Sequence, residues 1–265
     1  MRIASARLVL GPLIFFALGF AALGLVSCGT WSGSVALPPR IEGANFVGNQ
    51  ACYNCHTNHT RVFPSSAHGR LHLPGAGMPE QVGCESCHGA GSRHIAVGGG
   101  VGRFILNPGR DASACYRCHI EVHAEFNLPQ HHPLPEGKMN CVQCHDPHGR
   151  DIMKPSGGPA MARLNESCAG CHREQTKPVV YIHEAMREGC TACHQPHGSI
   201  HPKMLVERDN NLCLKCHAQV APTGVANFLV IGSTPHSPRV MQGSCWSAGC
   251  HSAVHGSNID PRLRY

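Results

Sequence analysis

Cysteine occurs in pairs along this chain, and a histidine closes each pair. Seven pairs have the form Cys-x-x-Cys-His, and an eighth, CWSAGCH, has four residues between its cysteines. The motif residues are Cys52, Cys55, His56; Cys84, Cys87, His88; Cys115, Cys118, His119; Cys141, Cys144, His145; Cys168, Cys171, His172; Cys190, Cys193, His194; Cys213, Cys216, His217; and Cys245, Cys250, His251. With 21 histidines in 265 residues, a histidine after all eight pairs has a chance probability on the order of 10⁻⁹.

This spacing is the signature of covalent haem c attachment, and the chain is predicted to carry eight haem c groups. The two thiols add to the haem vinyl groups, and the adjacent histidine becomes an axial (proximal) ligand of the iron. Sixteen cysteines could instead build four zinc sites, but such sites need no histidine after each pair. A disulfide across a two-residue gap would be strained and reducible, so structural disulfides are also disfavoured.

Thirteen further histidines are available as second, distal ligands. We predict bis-histidine ligation with a distal set chosen by local context: His68, His94, His132, His148, His183, His197, His236 and His255. His148 and His197 lie three residues past their own motifs, too close to bend across the same haem, so each is expected to bind at a neighbouring one. His131 and His123 are alternatives to His132, and the remaining histidines are His59, His72 and His201. The eight methionines hold no repeated position, so packing is the better interpretation of them.

The N-terminus resembles a bacterial lipoprotein signal. Arg2 and Arg7 precede an apolar run, and Leu25-Val26-Ser27-Cys28 has the pattern after which cleavage and lipidation of cysteine follow. Cys28 is also the cysteine that no haem motif uses. We predict a signal peptide at 1–27, a flexible tether at 28–45 and an octahaem domain at 46–265. An uncleaved membrane helix and ordinary signal cleavage are the alternatives.

The density of motifs decides the predicted fold class. About one haem per 27 residues leaves no room for a conventional core, and 30 glycines and 20 prolines disfavour large sheets. We predict a multihaem cytochrome c, mostly coil with short α-helices, an extended haem chain and little or no β-sheet. Residues 115–149 and 168–198 repeat one plan: two motifs, a histidine between them, a Glu-Gly turn and a closing Pro-His-Gly. No basic run suggests a nucleic-acid partner.

Several segments resemble the periplasmic decahaem cytochromes of the MtrA/DmsE type. They are CESCHGAGSRH, FNLPQHHPLPEGKMNCVQCHDPHG, CTACHQPHGS and AVHGSN, and the resemblance covers most of residues 50–258. It implies a bis-histidine haem wire inserted in an outer-membrane β-barrel porin, with periplasmic donor cytochromes and an outer-surface multihaem cytochrome as partners. The family's ligand positions fall on His94, His132, His148, His197 and His255. This chain departs from the type in having eight motifs, a lipobox and a widened last motif.

Electron transfer without substrate chemistry is therefore the predicted function. The predicted location is the periplasm or outer membrane, with a lipid anchor on Cys28; the cell surface is compatible with the same features. A subunit of a surface cytochrome filament is one alternative. A multihaem reductase is another, but it needs an open iron face, often with lysine as the proximal ligand, and all eight proximal positions here are histidine.

Overall fold

The computed structural model describes most of the chain from residue 38 onward. The described residues are 38–72, 83–149, 159–217, 219–220, 229–231, 234–236, 240, 242–247 and 249–265. Residues Pro38–Tyr265 form one compact unit. The predicted signal peptide, the lipidated Cys28 and the first part of the predicted tether lie outside the described residues. Within the part that is described, no helix is both long and apolar enough to cross a membrane.

The helices are short, and most of them carry or follow a haem motif. The α-helices are α1 (Gln50–Tyr53), α2 (Thr57–Val62), α3 (Cys84–His88), α4 (Ser92–Ala96), α5 (Ser113–Tyr116), α6 (Ile120–Phe126), α7 (Pro159–Ala169), α8 (Arg173–Thr176) and α9 (Asn210–His217). Single 3₁₀ turns cover Phe63–Ser65, Gly69–His72, Cys141–Gln143, Glu184–Arg187, Cys190–Ala192 and Pro202–Met204.

Each motif folds as one helical turn because the histidine amide bonds back to the first cysteine. The His119 N–H donates to the Cys115 carbonyl at 3.0 Å, an ordinary i to i+4 helical bond. In the widened motif the His251 N–H still donates to the Cys245 carbonyl, at 2.9 Å. The two extra residues therefore enlarge the loop without separating the histidine from its first cysteine.

Strands are two or three residues long. They are β1 (Gln130–His131), β2 (Tyr181–Ile182), β3 (Gly198–Ser199), β4 (Gln219–Val220), β5 (Leu229–Ile231), β6 (Thr234–Pro235) and β7 (Gly256–Ser257). Antiparallel pairs join β1 to β3 and β2 to β7, and β4, β5 and β6 form a three-stranded antiparallel sheet. The predicted class, short helices and little sheet in a mostly coiled chain, is confirmed.

Little apolar side-chain surface is buried by the polypeptide itself. The buried hydrophobic residues of the described chain are Ala90, Ala114, Phe126 and Ala253. Three of these four are alanines, so aliphatic packing alone cannot organise the unit. This is what the motif density predicts for a chain whose cofactors supply most of the apolar surface.

The described end of the predicted tether is attached to the haem domain. The Asn45 N–H donates to Ser92 Oγ at 2.8 Å, and Arg93 Nη1 donates to the Glu42 carbonyl at 2.8 Å. Gly89, with φ of 77°, lets Ile41 approach so closely that a Cβ there would lie 2.8 Å from its side chain. These contacts hold residues 41–45 against the start of α4.

Candidate functional site

The structure places a second histidine ring opposite every motif histidine. The pairs are His56–His94 (6.2 Å between ring centroids), His88–His148 (5.9 Å), His119–His68 (6.1 Å), His145–His197 (6.0 Å), His172–His132 (6.0 Å), His194–His255 (6.2 Å), His217–His183 (6.1 Å) and His251–His236 (6.5 Å). All eight predicted proximal residues and all eight predicted distal residues take part in these pairs.

The spacing of the rings fits a metal ion held between them. An imidazole nitrogen binds a metal at about 2.0 Å and lies about 1.1 Å from its ring centre, so two rings on opposite sides of one ion have centroids about 6.2 Å apart. Rings in direct contact lie closer, as Tyr116 and His123 do at 4.3 Å. The eight pairs therefore have the separation that bis-histidine iron would require.

Backbone carbonyls hold the Nδ1 side of many of these rings. The contacts from ring Nδ1 to carbonyl oxygen are His68–Pro147 (3.3 Å), His88–Leu106 (2.9 Å), His94–Arg103 (3.0 Å), His132–Pro196 (2.6 Å), His183–Val254 (2.8 Å), His194–Lys203 (2.9 Å) and His251–Arg262 (2.6 Å). A carbonyl can only accept, so the proton sits on Nδ1 and Nε2 keeps a lone pair for the iron. Burial lowers the pKa of His88 and of His148, which favours the neutral, ligating form.

The distal histidines that follow a motif face a motif farther back in the chain. His148 lies opposite His88, and His197 lies opposite His145, in each case two motifs earlier. His255 likewise lies opposite His194. These placements agree with the expectation that a histidine three residues beyond its motif cannot serve that motif.

A recurring bond joins distal histidines of neighbouring pairs. The carbonyl that accepts from His68 belongs to Pro147, which directly precedes His148. The same relation connects His132 with Pro196 and His197, and His183 with Val254 and His255. The β1–β3 and β2–β7 pairings lie beside the second and third of these contacts. Short strands thus set the positions of two paired histidines at once.

The motifs also meet in pairs through their first cysteines. The thiols in hydrogen-bond contact are Cys52 with Cys84, Cys115 with Cys141, Cys168 with Cys190, and Cys213 with Cys245. The bond from Cys52 lowers the pKa of the Cys84 thiol to about 7, and the bond from Cys115 lowers that of Cys141 to about 6. With the motifs numbered along the chain, thiol contacts therefore join motif 1 to 2, 3 to 4, 5 to 6 and 7 to 8. The bonds from one distal histidine to the carbonyl that precedes another join motif 2 to 3, 4 to 5 and 6 to 7.

An asparagine that the sequence analysis missed supports three of the thiol pairs. Asn49, Asn165 and Asn210 each stand three residues before an odd-numbered motif, in the pattern Asn-x-x-Cys-x-x-Cys-His. Each Oδ1 accepts the N–H of the first cysteine of the following motif: Cys84 at 2.8 Å, Cys190 at 3.1 Å and Cys245 at 2.7 Å. Ala112 occupies this place before the third motif. The repetition of asparagine at this place before three motifs is the sequence pattern that could have revealed its role.

Two serines in His-Gly-Ser triplets close the loops that hold motif histidines. Ser199 Oγ donates to the Leu205 carbonyl and Ser257 Oγ to the Arg264 carbonyl, both at 2.6 Å. Both serines are buried, at 7% and 2% exposure. Each loop includes a residue in the left-handed region, Lys203 (φ 59°) in one and Leu263 (φ 58°) in the other. Lys203 carries the carbonyl that accepts from His194 Nδ1, and Leu263 directly follows Arg262, whose carbonyl accepts from His251 Nδ1.

A buried carboxylate anchors the N-terminal segment next to the second motif. Glu85 is 4% exposed and accepts backbone N–H bonds from Val47 (3.0 Å), Gly48 (2.9 Å) and Gly91 (2.8 Å). Three converging donors replace the water that an ionised carboxylate would lose on burial. Glu85 lies inside the CESCH motif, and no sequence pattern distinguishes it from the variable residues of the other motifs.

The remaining histidines lie outside the eight pairs. His59 packs on His148 at 4.6 Å, His123 stacks on Tyr116, and His131 contacts Glu136 at 3.0 Å. His132 faces a motif histidine and His131 faces a carboxylate, and these positions favour His132 over His131 as a distal ligand. His201 donates its backbone N–H to Ser199 Oγ. The side chain of His72 lies outside the described residues.

The chain is similar to known multihaem proteins. The doubled CXXCH motif family matches residues 131–177 and 183–222. The multihaem cytochrome MtrA of Shewanella baltica is 33% identical over 218 residues, which are 79% of this chain and 58% of that protein. The polyhaem cytochrome OmcB of Geobacter sulfurreducens is 25% identical over 237 residues, 78% of this chain and 30% of OmcB. The chain therefore spans little more than half the length of MtrA and less than a third of OmcB.

Proposed function

This chain belongs to the MtrA-type multihaem c-type cytochromes, and we propose that it carries electrons along eight haem c groups in bis-histidine ligation. One observation supports this most directly: eight motif histidines each face a second histidine at 5.9 to 6.5 Å. The sixteen motif cysteines are free thiols that can form the thioether bonds. Bound haem iron supplies one-electron chemistry by cycling between its ferric and ferrous states.

The protein's part is to hold ligands still on both sides of each iron. The two facing imidazoles of each pair would hold the haem iron from both sides and leave no face open for a substrate, so electron transfer would need no ligand to leave or arrive. Carbonyl bonds to Nδ1 keep seven of the sixteen rings oriented. This arrangement favours a carrier over a reductase, and we propose that the chain is not an enzyme.

The order of contacts supports transfer from each site to the next along the sequence. The thiol contact of Cys52 and Cys84 joins the first two motifs, and the bond from His68 to Pro147 joins ligands of the third and second. The same two contacts alternate through the rest of the chain. Close, consecutive sites are what a multihaem wire requires, because the transfer rate falls steeply with distance.

We further propose where the chain works and what it contacts. Its similarity to MtrA supports a place in a porin–cytochrome complex of the outer membrane, between periplasmic donor cytochromes and an outer-surface multihaem cytochrome. The Leu-Val-Ser-Cys sequence supports lipidation of Cys28. Mass spectrometry of the mature wild-type chain should find a lipidated Cys28 as its first residue, and Cys28→Ser should abolish both the lipid and the cleavage before it. An unmodified Cys28 in the mature wild-type chain would exclude the lipid anchor.

The ligation is tested by low-temperature EPR of the oxidised, full-length protein with haem quantified in the same sample. We expect eight haems per chain and low-spin signals alone. A stoichiometric high-spin signal would reveal an open iron face and would favour the reductase alternative. Fewer than eight haems in a fully matured preparation would contradict the assignment of one haem to every motif.

Electron conduction is tested separately. The complex is extracted from the native outer membrane and inserted into liposomes that enclose a reduced viologen dye, and ferric citrate is added outside. We expect the dye to be oxidised only when this chain is present in the complex. Equal oxidation by a complex from a strain lacking the chain would contradict the conduit proposal while leaving the haem ligation untouched.

A further inference from the structure

One paired histidine has a different hydrogen-bond partner from the seven that contact carbonyls. His197 Nδ1 lies 2.8 Å from Glu125 Oε2. We propose that Glu125 is a positioning residue that acts through His197 and lowers the reduction potential of the haem held by His145 and His197. The inference rests on the bis-histidine ligation proposed above.

The contact is held in place from several sides. The His197 side chain is 19% exposed and that of Glu125 is 33% exposed, so water screens the pair only partly. Phe126, itself buried at 6%, packs on the His197 ring at 5.4 Å between centroids. Gln195 Nε2 donates to the other carboxylate oxygen of Glu125 at 3.4 Å.

Backbone packing also fixes the register of the two residues. A Cβ on Gly198 would lie 2.0 Å from the carbonyl oxygen of Glu125. The end of α6 and the start of β3 therefore touch directly, and only glycine fits next to His197. This contact fixes the backbone of Glu125 beside the strand that carries His197, so the carboxylate starts from a defined position next to the ring.

A carboxylate affects the ring more strongly than a carbonyl does. It carries a full negative charge and attracts the Nδ1 proton, so electron density on the imidazole rises and Nε2 becomes a stronger donor to iron. A stronger donor and a nearby negative charge both favour the ferric state, which bears one more positive charge than the ferrous state. The reduction potential of this haem therefore falls relative to a haem with a carbonyl partner.

The same helix contains a matched control. Glu121, four residues before Glu125, has its Oε1 atom 3.7 Å from His119 Nδ1. That distance is beyond a hydrogen bond, and the two side chains are 71% and 45% exposed. Salt and water screen such a pair, so removing the charge of Glu121 should leave its haem unchanged.

The experiment compares the holoprotein with Glu125→Gln and Glu121→Gln in spectroelectrochemical titrations. Glutamine keeps an acceptor oxygen near His197 but removes the charge, which separates electrostatics from positioning. In Glu125→Gln, we expect one-eighth of the haem absorbance to shift to a higher potential and one low-spin EPR component to change. Glu121→Gln should overlay the wild type. A Glu125→Gln titration that overlays the wild type, with eight haems bound, overturns the proposal.

A second measurement decides the matter if Glu125→Gln binds fewer haems. In the wild type, NMR-detected redox titration assigns potentials to individual haems. The haem of His145 and His197 must then have a lower potential than that of His172 and His132, whose ring contacts the Pro196 carbonyl. An equal or higher potential overturns the role of Glu125. If the wild type lacks eight low-spin haems, the ligation proposal fails instead.

Discussion

The angle between paired rings divides the eight sites into two groups. Five pairs are close to parallel, with interplanar angles from 12° for His88–His148 to 24° for His236–His251. The angles are 47° for His145–His197, 61° for His132–His172 and 87° for His68–His119. The three tilted pairs belong to the third, fourth and fifth motifs, so the middle of the chain differs electronically from both ends.

This division predicts two kinds of low-spin EPR signal. Parallel imidazoles act on the same iron d orbital and split the pair of orbitals, whereas perpendicular imidazoles act equally on both and leave them nearly degenerate. The His68–His119 site should therefore give a highly anisotropic, low-field signal, and the five near-parallel sites should give ordinary rhombic signals. An oxidised spectrum with rhombic signals alone would contradict the ring angles.

A second prediction at this scale concerns Glu85. Glu85→Gln places an amide N–H₂ among backbone donors, so one of the three bonds from Val47, Gly48 and Gly91 has no acceptor. We expect the holoprotein to lose about 1–3 kcal/mol of unfolding free energy, with faster hydrogen exchange at residues 45–48. Glu184→Gln, at an exposed pair with Arg187, serves as the control and should change little. Unaltered exchange at residues 45–48 would show that Glu85 does not anchor the segment.

Sequence spacing makes specific predictions for individual residues where the chemistry is local. The motif histidines follow from Cys-x-x-Cys-His, and His148 and His197 were predicted as ligands from a repeated tripeptide. The partners of those residues are not local: Glu125 and His197 are 72 positions apart. Nothing in the neighbourhood of Glu125 distinguishes it from the exposed Glu121, so this contact needed the folded chain.

At the scale of elements, the type of regular structure could be predicted from the sequence, but the positions of the short strands could not. Glycine, proline and motif density exclude long helices and wide sheets, and the short α-helices and 3₁₀ turns confirm that. The β1–β3 and β2–β7 pairs were not predicted, because two-residue strands carry no alternating pattern. They form where Gly198 and Gly256 allow close backbone approach, and at Gly256 the φ of 133° also requires glycine.

The asparagines between motifs give a prediction for these elements. Asn165→Ala removes the acceptor of the Cys190 N–H and should cost about 0.5–1.5 kcal/mol in denaturant unfolding of the holoprotein. Asn127→Ala is the control, because the Asn127 side chain donates to the nearby His123 carbonyl at an exposed helix end. The Cys190 amide should also exchange faster in Asn165→Ala. Equal effects of the two substitutions would contradict a special role for the Asn-x-x-Cys pattern.

At the scale of the whole molecule, the widened CWSAGCH motif lies at one end of the series of contacts that joins each motif to the next. Cys250→Ala removes one thioether bond there while His251 and His236 still face each other at 6.5 Å. Because Cys245 can still form one thioether bond, we expect eight haems of which one is singly attached, and slower electron transfer to acceptors at that end, with transfer at the other end unchanged. Mass spectrometry of the denatured chain counts the haems, and stopped-flow reduction compares the ends. Loss of every haem, or undiminished transfer, would contradict this placement.

The backward pairing of distal histidines bears on how such a chain is made. Export delivers a polypeptide from its N-terminus, so His88 emerges long before His148 and His145 long before His197. Each of these earlier histidines can meet its partner only after a later segment has been exported, and the delay increases with the number of residues between the two. A premature stop after residue 145 would leave both permanently without partners. A chain truncated there would therefore hold haem iron at these two histidines through one protein ligand each.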